Sequence, residues 1–159
     1  MSRPDYTVDA EGLTRAWATT FPGLCGPGNP IPAGVHLTRR RGGNRGTACT
    51  VELIGPRDVD LEGAGDSARV SFAIYSIGSE DGARRAAHRG ARAVAAACRT
   101  MTGSPVAVTS RPGQPDEETA VLGLVHTVSG PLLTGDVGGE ITYRVDATFV
   151  WRLPMDGTP

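Results

Sequence analysis

Hydrophobic and polar positions alternate from Arg69 to Tyr75, with Val70, Phe72 and Ile74 on one side and Ser71, Ala73 and Tyr75 on the other. This two-residue period predicts a half-buried strand covered on one face. After Gly78-Ser79 the period changes. At about 100° per residue, Ala83, Ala87, Ala91, Val94, Cys98 and Met101 share one stripe, and Arg84, Arg85, His88, Arg89, Arg92 and Arg99 share another. The spacing predicts a long helix with Ser79 as N-cap, Glu80 and Asp81 at the positive end of its dipole, and Gly103 as the stop after Arg99. Small residues on the apolar stripe let such a helix lie close on a sheet, while its basic stripe must face solvent or a partner.

The remaining pattern supplies one more helix and several strands. Leu13, Ala16 and Trp17 recur at helical spacing after a cap at or beside Asp9, and Phe21-Pro22-Gly23 ends that helix. A Gly/Pro-rich linker follows, from Gly23 to Gly34. Val35 to Arg39 and Ala48 to Ile54 then read as two short strands joined by a hairpin-type turn, Arg40 to Thr47. Gly55 to Ser67 is expected to be an acidic loop, and Val106 to Val108 a short strand. Val121 to Val128 and Ile141 to Leu153 are stronger strands, with Ser129 to Gly139 between them as a long hairpin loop. On the last strand Tyr143, Val145, Ala147, Phe149 and Trp151 share a face, which places Phe149 and Trp151 under the Arg/Ala helix. These elements predict an α+β fold: a mostly antiparallel sheet with the long helix packed on one face and a second helix at the N-terminus. No βαβ series suggests a doubly wound nucleotide-binding fold.

Composition narrows the possibilities. At 159 residues the chain is expected to be a single domain over 1–159, with flexible ends at about 1–8 and 154–159. A net charge of -1 carries no general nucleic-acid or membrane signal, and all 16 basic residues are Arg. The polar stretch from Met1 to Glu11 and the lack of a long apolar run predict a protein made soluble in the cytoplasm, with no membrane partner. Three widely spaced cysteines, Cys25, Cys49 and Cys98, suggest neither a disulfide framework nor a zinc site.

Candidate chemistry is sparse. Gly42-Gly43-Asn44-Arg45-Gly46 lacks the spacing of a phosphate-binding P-loop. His36, His88 and His126 share no metal-ligand spacing, no serine lies in G-x-S-x-G, and Cys49 and Cys98 project onto core faces. No catalytic, cofactor-binding or metal-binding residue is therefore nominated, and no cofactor is expected. What stands out is charge segregation. Arg39, Arg40, Arg41 and Arg45 lie in one loop, Asp58, Asp60, Glu62 and Asp66 in another, and Arg85, Arg89 and Arg92 on the basic helix face. The two loops carry opposite charges and are read as complementary patches for contact with another copy of the chain. The helix face serves either a neighbouring subunit or DNA.

In order along the chain, the helix ending in Phe21-Pro22-Gly23-Leu24, the Gly34 to Arg39 strand with its Arg/Gly loop, the Ala68 to Tyr75 strand feeding the Ala/Arg helix, and Ser129-Gly130-Pro131-Leu132-Leu133 leading through Asp136 into Tyr143 to Ala147 carry a resemblance. Together they resemble the tail terminator, or tail-completion, proteins of long-tailed actinobacterial phages. That resemblance implies a non-enzymatic structural virion protein, assembled in the host cytoplasm and located at the tail-neck junction. It implies a homo-hexameric ring that caps the tail tube, ends its polymerisation and joins the tail to the head connector. The tail tube protein and the head-tail connector would be its partners, with DNA passing transiently through the lumen. Another neck or tail-tube component is the near alternative. A small-molecule-binding α+β domain is the distant one.

Overall fold

The computed structural model describes residues 8–39, 46–55, 58–60 and 65–153. Helix α1 spans Ala10–Thr20 and α2 spans Glu80–Thr100; the strands are β1 (Val35–His36), β2 (Ala48–Leu53), β3 (Asp58–Asp60), β4 (Gly65–Ile77), β5 (Val106–Ser110), β6 (Glu118–Val137) and β7 (Glu140–Arg152). The fold is α+β. Its mixed sheet runs β1-β2-β4-β7-β6-β5, with β3 pairing with β4 alongside β2. Helix α1 touches β1 and β2 near one edge and β5 at the other, so the sheet curls around it. No helix among the described residues is long and apolar enough to cross a membrane.

Local sequence accounts for both helices. The Asp9 carboxylate accepts from the Gly12 N–H and caps α1, and the Ser79 hydroxyl accepts from the Gly82 N–H at the start of α2. Every residue of the small-residue stripe on α2, from Ala83 to Met101, is buried. Gly90 belongs to that face too, although the stripe did not include it. A Cβ there would stand 2.9 Å from Ile74 Cγ2 and 3.3 Å from the Pro30 carbonyl oxygen.

Helix α2 packs on β4, β6 and β7, which supply Phe72, Ile74, Val145 and Ala147 to the core. Phe149 and Trp151 are fully buried in the same core. The helix that sets an aromatic ring against Phe149 is α1, however: Trp17 meets it edge-on at 5.2 Å. Both helices therefore cover one side of the sheet. The other side is a broad polar face bearing Thr50 and Glu52 from β2, Arg69, Ser71 and Ala73 from β4, and Arg144, Asp146 and Thr148 from β7.

Several sequence expectations need correction. Strand β1 pairs with β2 in parallel, Val35 opposite Cys49, so the two do not form a hairpin. The antiparallel partner of β2 is β4, and β1 takes the edge that remains. The expected acidic loop contains β3, which is antiparallel to the start of β4. The expected Ser129–Gly139 loop is mostly strand: β6 continues to Val137 through register shifts at His126/Ser129, Ser129/Leu132 and Leu133/Gly135. Only Gly138 and Gly139 form the turn, with φ of +62° and +80°, as a tight two-residue hairpin with positive φ at both positions requires. Val8, assigned to a flexible end, is buried, and its N–H donates to Asp66. The rest of the two expected flexible ends lies outside the described residues.

Candidate functional site

The most elaborate polar cluster sits at the centre of the open sheet face. Arg144 Nε donates to Asp146 Oδ1 at 2.7 Å. Burial of Asp146 pushes its pKa up, but hydrogen bonds from Arg144 and Ser71 and the charges of Arg144 and Arg69 outweigh this and hold it below the usual carboxylate range. Its ion pair, with the charge of Glu52 nearby, raises the Arg144 pKa. Arg69 donates to the Thr148 hydroxyl on β7 at 3.2 Å and reaches past it to β6, donating to the Thr127 carbonyl at 3.2 Å and the Ser129 hydroxyl at 3.4 Å. Thr127 has a φ of +52°, uncommon for a β-branched residue, within the His126/Ser129 register shift of β6. Arg69 thus secures the irregular strand to the regular one.

Beyond that slip, Ser129, Gly130, Pro131 and Leu132 border an open depression of about 630 Å³, floored by Arg144 and Asp146. Gly130 has a φ of +106°, and a Cβ on it would lie 2.5 Å from the Arg144 carbonyl oxygen. Leu132, opposite Arg144, is 63% exposed, the highest value among the exposed large hydrophobic residues that are described; Ile77 comes next at 55%, then Leu133 at 41%. Apolar side chains this exposed on a firmly held strand are available for contact.

Because the folded-state pKa of Asp146 is depressed, it contributes stability above its unfolded pKa of about 3.9, and this is lost as pH falls through the folded value. Asp146→Asn should therefore cost stability at neutral pH and progressively less below about pH 4. Melting curves of the two proteins between pH 2 and 7 test this; a constant gap across the range would show that the ion pair contributes nothing.

The residues nominated from sequence separate into three groups. Arg39 is engaged within the subunit: its guanidinium lies 4.4 Å above the Tyr75 ring, pairs with Glu140 and donates to Thr142 Oγ1 at 2.9 Å. Asp66 is also corrected as a surface candidate. It is 1% exposed and accepts from the Val8 N–H, so it fastens the N-terminal segment inside the fold. Arg40, Arg41, Arg45 and Glu62 lie outside the described residues, and Asp58 and Asp60 are described only as part of β3.

Arg85, Arg89 and Arg92 do come together. With His88 and Ala93 they line a depression of about 480 Å³ on the outer side of α2. None of the three has an ion-pair partner among the described residues, whereas neighbouring Arg84 is paired with Glu80 and Asp136. Ala93 also borders an apolar notch of about 250 Å³ between α2 and the turn after α1, lined by Phe21, Pro22, Leu24, Ala96 and Thr100. Sequence reading nominated the Arg row but missed this notch, because its walls come from segments about 70 residues apart in the chain.

Among the described residues, no group of three or more His, Cys, Asp or Glu could hold a metal ion. Cys49 and Cys98 are buried; burial raises the Cys49 pKa and pushes Cys98 up to about 12. Both thiols remain protonated at neutral pH. Searches for similar proteins returned no matching family model and no matching curated protein.

Proposed function

We propose that the chain is a structural subunit of a phage tail terminator: a ring, most simply a homo-hexamer, that caps the tail tube and meets the head connector. The observation carrying this reading is the two-sidedness of the subunit. Both helices lie on one side of the sheet, presenting the apolar notch and an Arg row with no ion-pair partner among the described residues; the other side is a polar sheet face with Leu132 standing out from it. A ring built head to tail needs two different surfaces on opposite sides of each subunit. The sequence resemblance adds the virion context, with the tail tube protein and head-tail connector as partners and DNA passing through the lumen.

Mass measurement and negative-stain imaging of the purified protein test the assembly. The expected result is a closed ring several times heavier than the 16.5 kDa chain. Deleting the gene from the phage that encodes it should give tails of irregular length or tails without heads, with packaged heads still formed. A persistent monomer, together with normal tails in the deletion lysate, would overturn the reading in favour of a ligand-binding domain. Rings combined with tails of normal length that fail only to join heads would favour another neck component.

A further inference from the structure

No acidic residue occurs between Asp81 and Asp116, a stretch that contains Arg84, Arg85, Arg89, Arg92, Arg99 and Arg111. Arg84 and Arg111 are neutralised within the subunit, by Asp136 and Asp116. Arg85, Arg89 and Arg92 are not: all three are exposed, and none has an ion-pair or hydrogen-bond partner among the described residues. They form one row along two turns of α2, about 10 Å long. The depression they line is bordered otherwise by Ala93 and by His88, whose ring stands 5.1 Å from that of Tyr143, so no acidic group enters it.

The described part of the chain holds no free acidic patch that a second copy could offer to this row. Asp116, Asp136, Glu140 and Asp146 are paired with arginines of their own subunit. Glu11, Glu52 and Asp81 stand singly on α1, β2 and α2. The row also lacks the apolar centre of a protein–protein contact. The exposed large hydrophobic residues that are described, Ile77, Val106, Leu124, Leu132 and Leu133, all lie on strands. Closely spaced arginines with neither an acidic nor a large apolar neighbour instead match a phosphate backbone, which carries one charge per about 3.4 Å of axis on each strand of a duplex.

Resting on the ring reading, we infer that Arg85, Arg89 and Arg92 contact the phosphate backbone of duplex DNA, so that this half of α2 borders the lumen. The notch, which begins at Ala93 and runs along the other half of the helix to Thr100, is left for a protein neighbour. Backbone contacts of this kind are independent of sequence and weaken steeply with salt, which suits DNA in transit.

Anisotropy of a short labelled DNA duplex, titrated with the full-length protein between about 50 and 200 mM salt, tests the contact. The wild-type protein should bind, with affinity falling as salt rises. A variant combining Arg85→Gln, Arg89→Gln and Arg92→Gln should keep its rings by light scattering and lose affinity at least about tenfold; its log–log salt slope should flatten by about 3, one for each lost phosphate contact. A second variant combining Arg15→Gln, Arg111→Gln and Arg152→Gln, equally exposed and equal in net charge, should keep most of the affinity. Equal losses in the two variants, or wild-type rings that ignore the duplex, would overturn the inference and leave the ring reading standing. Rings that fall apart in the first variant would overturn it too, because the row would then belong to a neighbouring subunit. A wild-type protein that stays monomeric, yet loses the duplex only in the first variant, would overturn the ring reading and support the phosphate contact.

Discussion

Trp151→Ala should destabilise the fold by about 3–5 kcal/mol, the range for removing a large aromatic side chain from a packed core. Trp151 is fully buried, stacks on Phe149 with ring planes 19° apart, and stands opposite Leu122 on β6 and Asp66 on β4. A cavity there would remove support from both neighbouring strands at once. Trp151→Phe should cost much less. The indole Nε1 has no hydrogen-bond partner among the described residues, so phenylalanine loses part of the ring volume but also removes a buried N–H whose desolvation is uncompensated. Urea titrations of the three proteins give the comparison directly. Equal losses for the two variants would show that the N–H has a partner, and no loss for alanine would mean that this end of β7 is not core.

Periodicity carried most of the architecture because it reports burial one residue at a time. The stripe from Ala83 to Met101 and the alternation from Tyr143 to Trp151 each depend on a single element facing a single core. Pairing is not encoded in that way. Val35-His36 and Ala48 to Leu53 flank a Gly-rich segment, a local signal for a hairpin, yet β2 bonds to the much longer β4 and leaves β1 a parallel edge. Gly130 and Pro131 misled for a related reason. Both are depleted in strands, but here they occupy a stretch of repeated register shifts where the ladder is already interrupted.

The candidate site was legible to the same extent. Arg85, Arg89 and Arg92 lie on one helix, so the helical period alone gathers them. Arg39 looked like a free charge and Asp66 like a surface one because the contacts that occupy them are distant in the chain: Glu140 for Arg39 and the Val8 N–H for Asp66. Leu132 was visible only as part of a loop. Its exposure depends on the register that β6 holds against Arg144.

Gly90→Ala should be destabilising even though alanine is the better helix former by about 1 kcal/mol. Helix α2 lies so close to the sheet at this point that the added methyl would meet Ile74 Cγ2 at 2.9 Å, Thr47 Cγ2 at 3.2 Å and the Pro30 carbonyl oxygen at 3.3 Å. One of those atoms is backbone, and Ile74 is fully buried, so neither can move aside without disturbing others. Overpacking of this kind costs about 1–3 kcal/mol, enough to outweigh the gain in helix propensity. Gly90→Val should be worse, because a branched side chain adds further overlap and loses the propensity advantage. The contrast with Gly103→Ala makes the test specific: a Cβ there would meet nothing within 4 Å. A Gly90→Ala protein at least as stable as wild type would mean that α2 rides higher on the sheet than the structure has it.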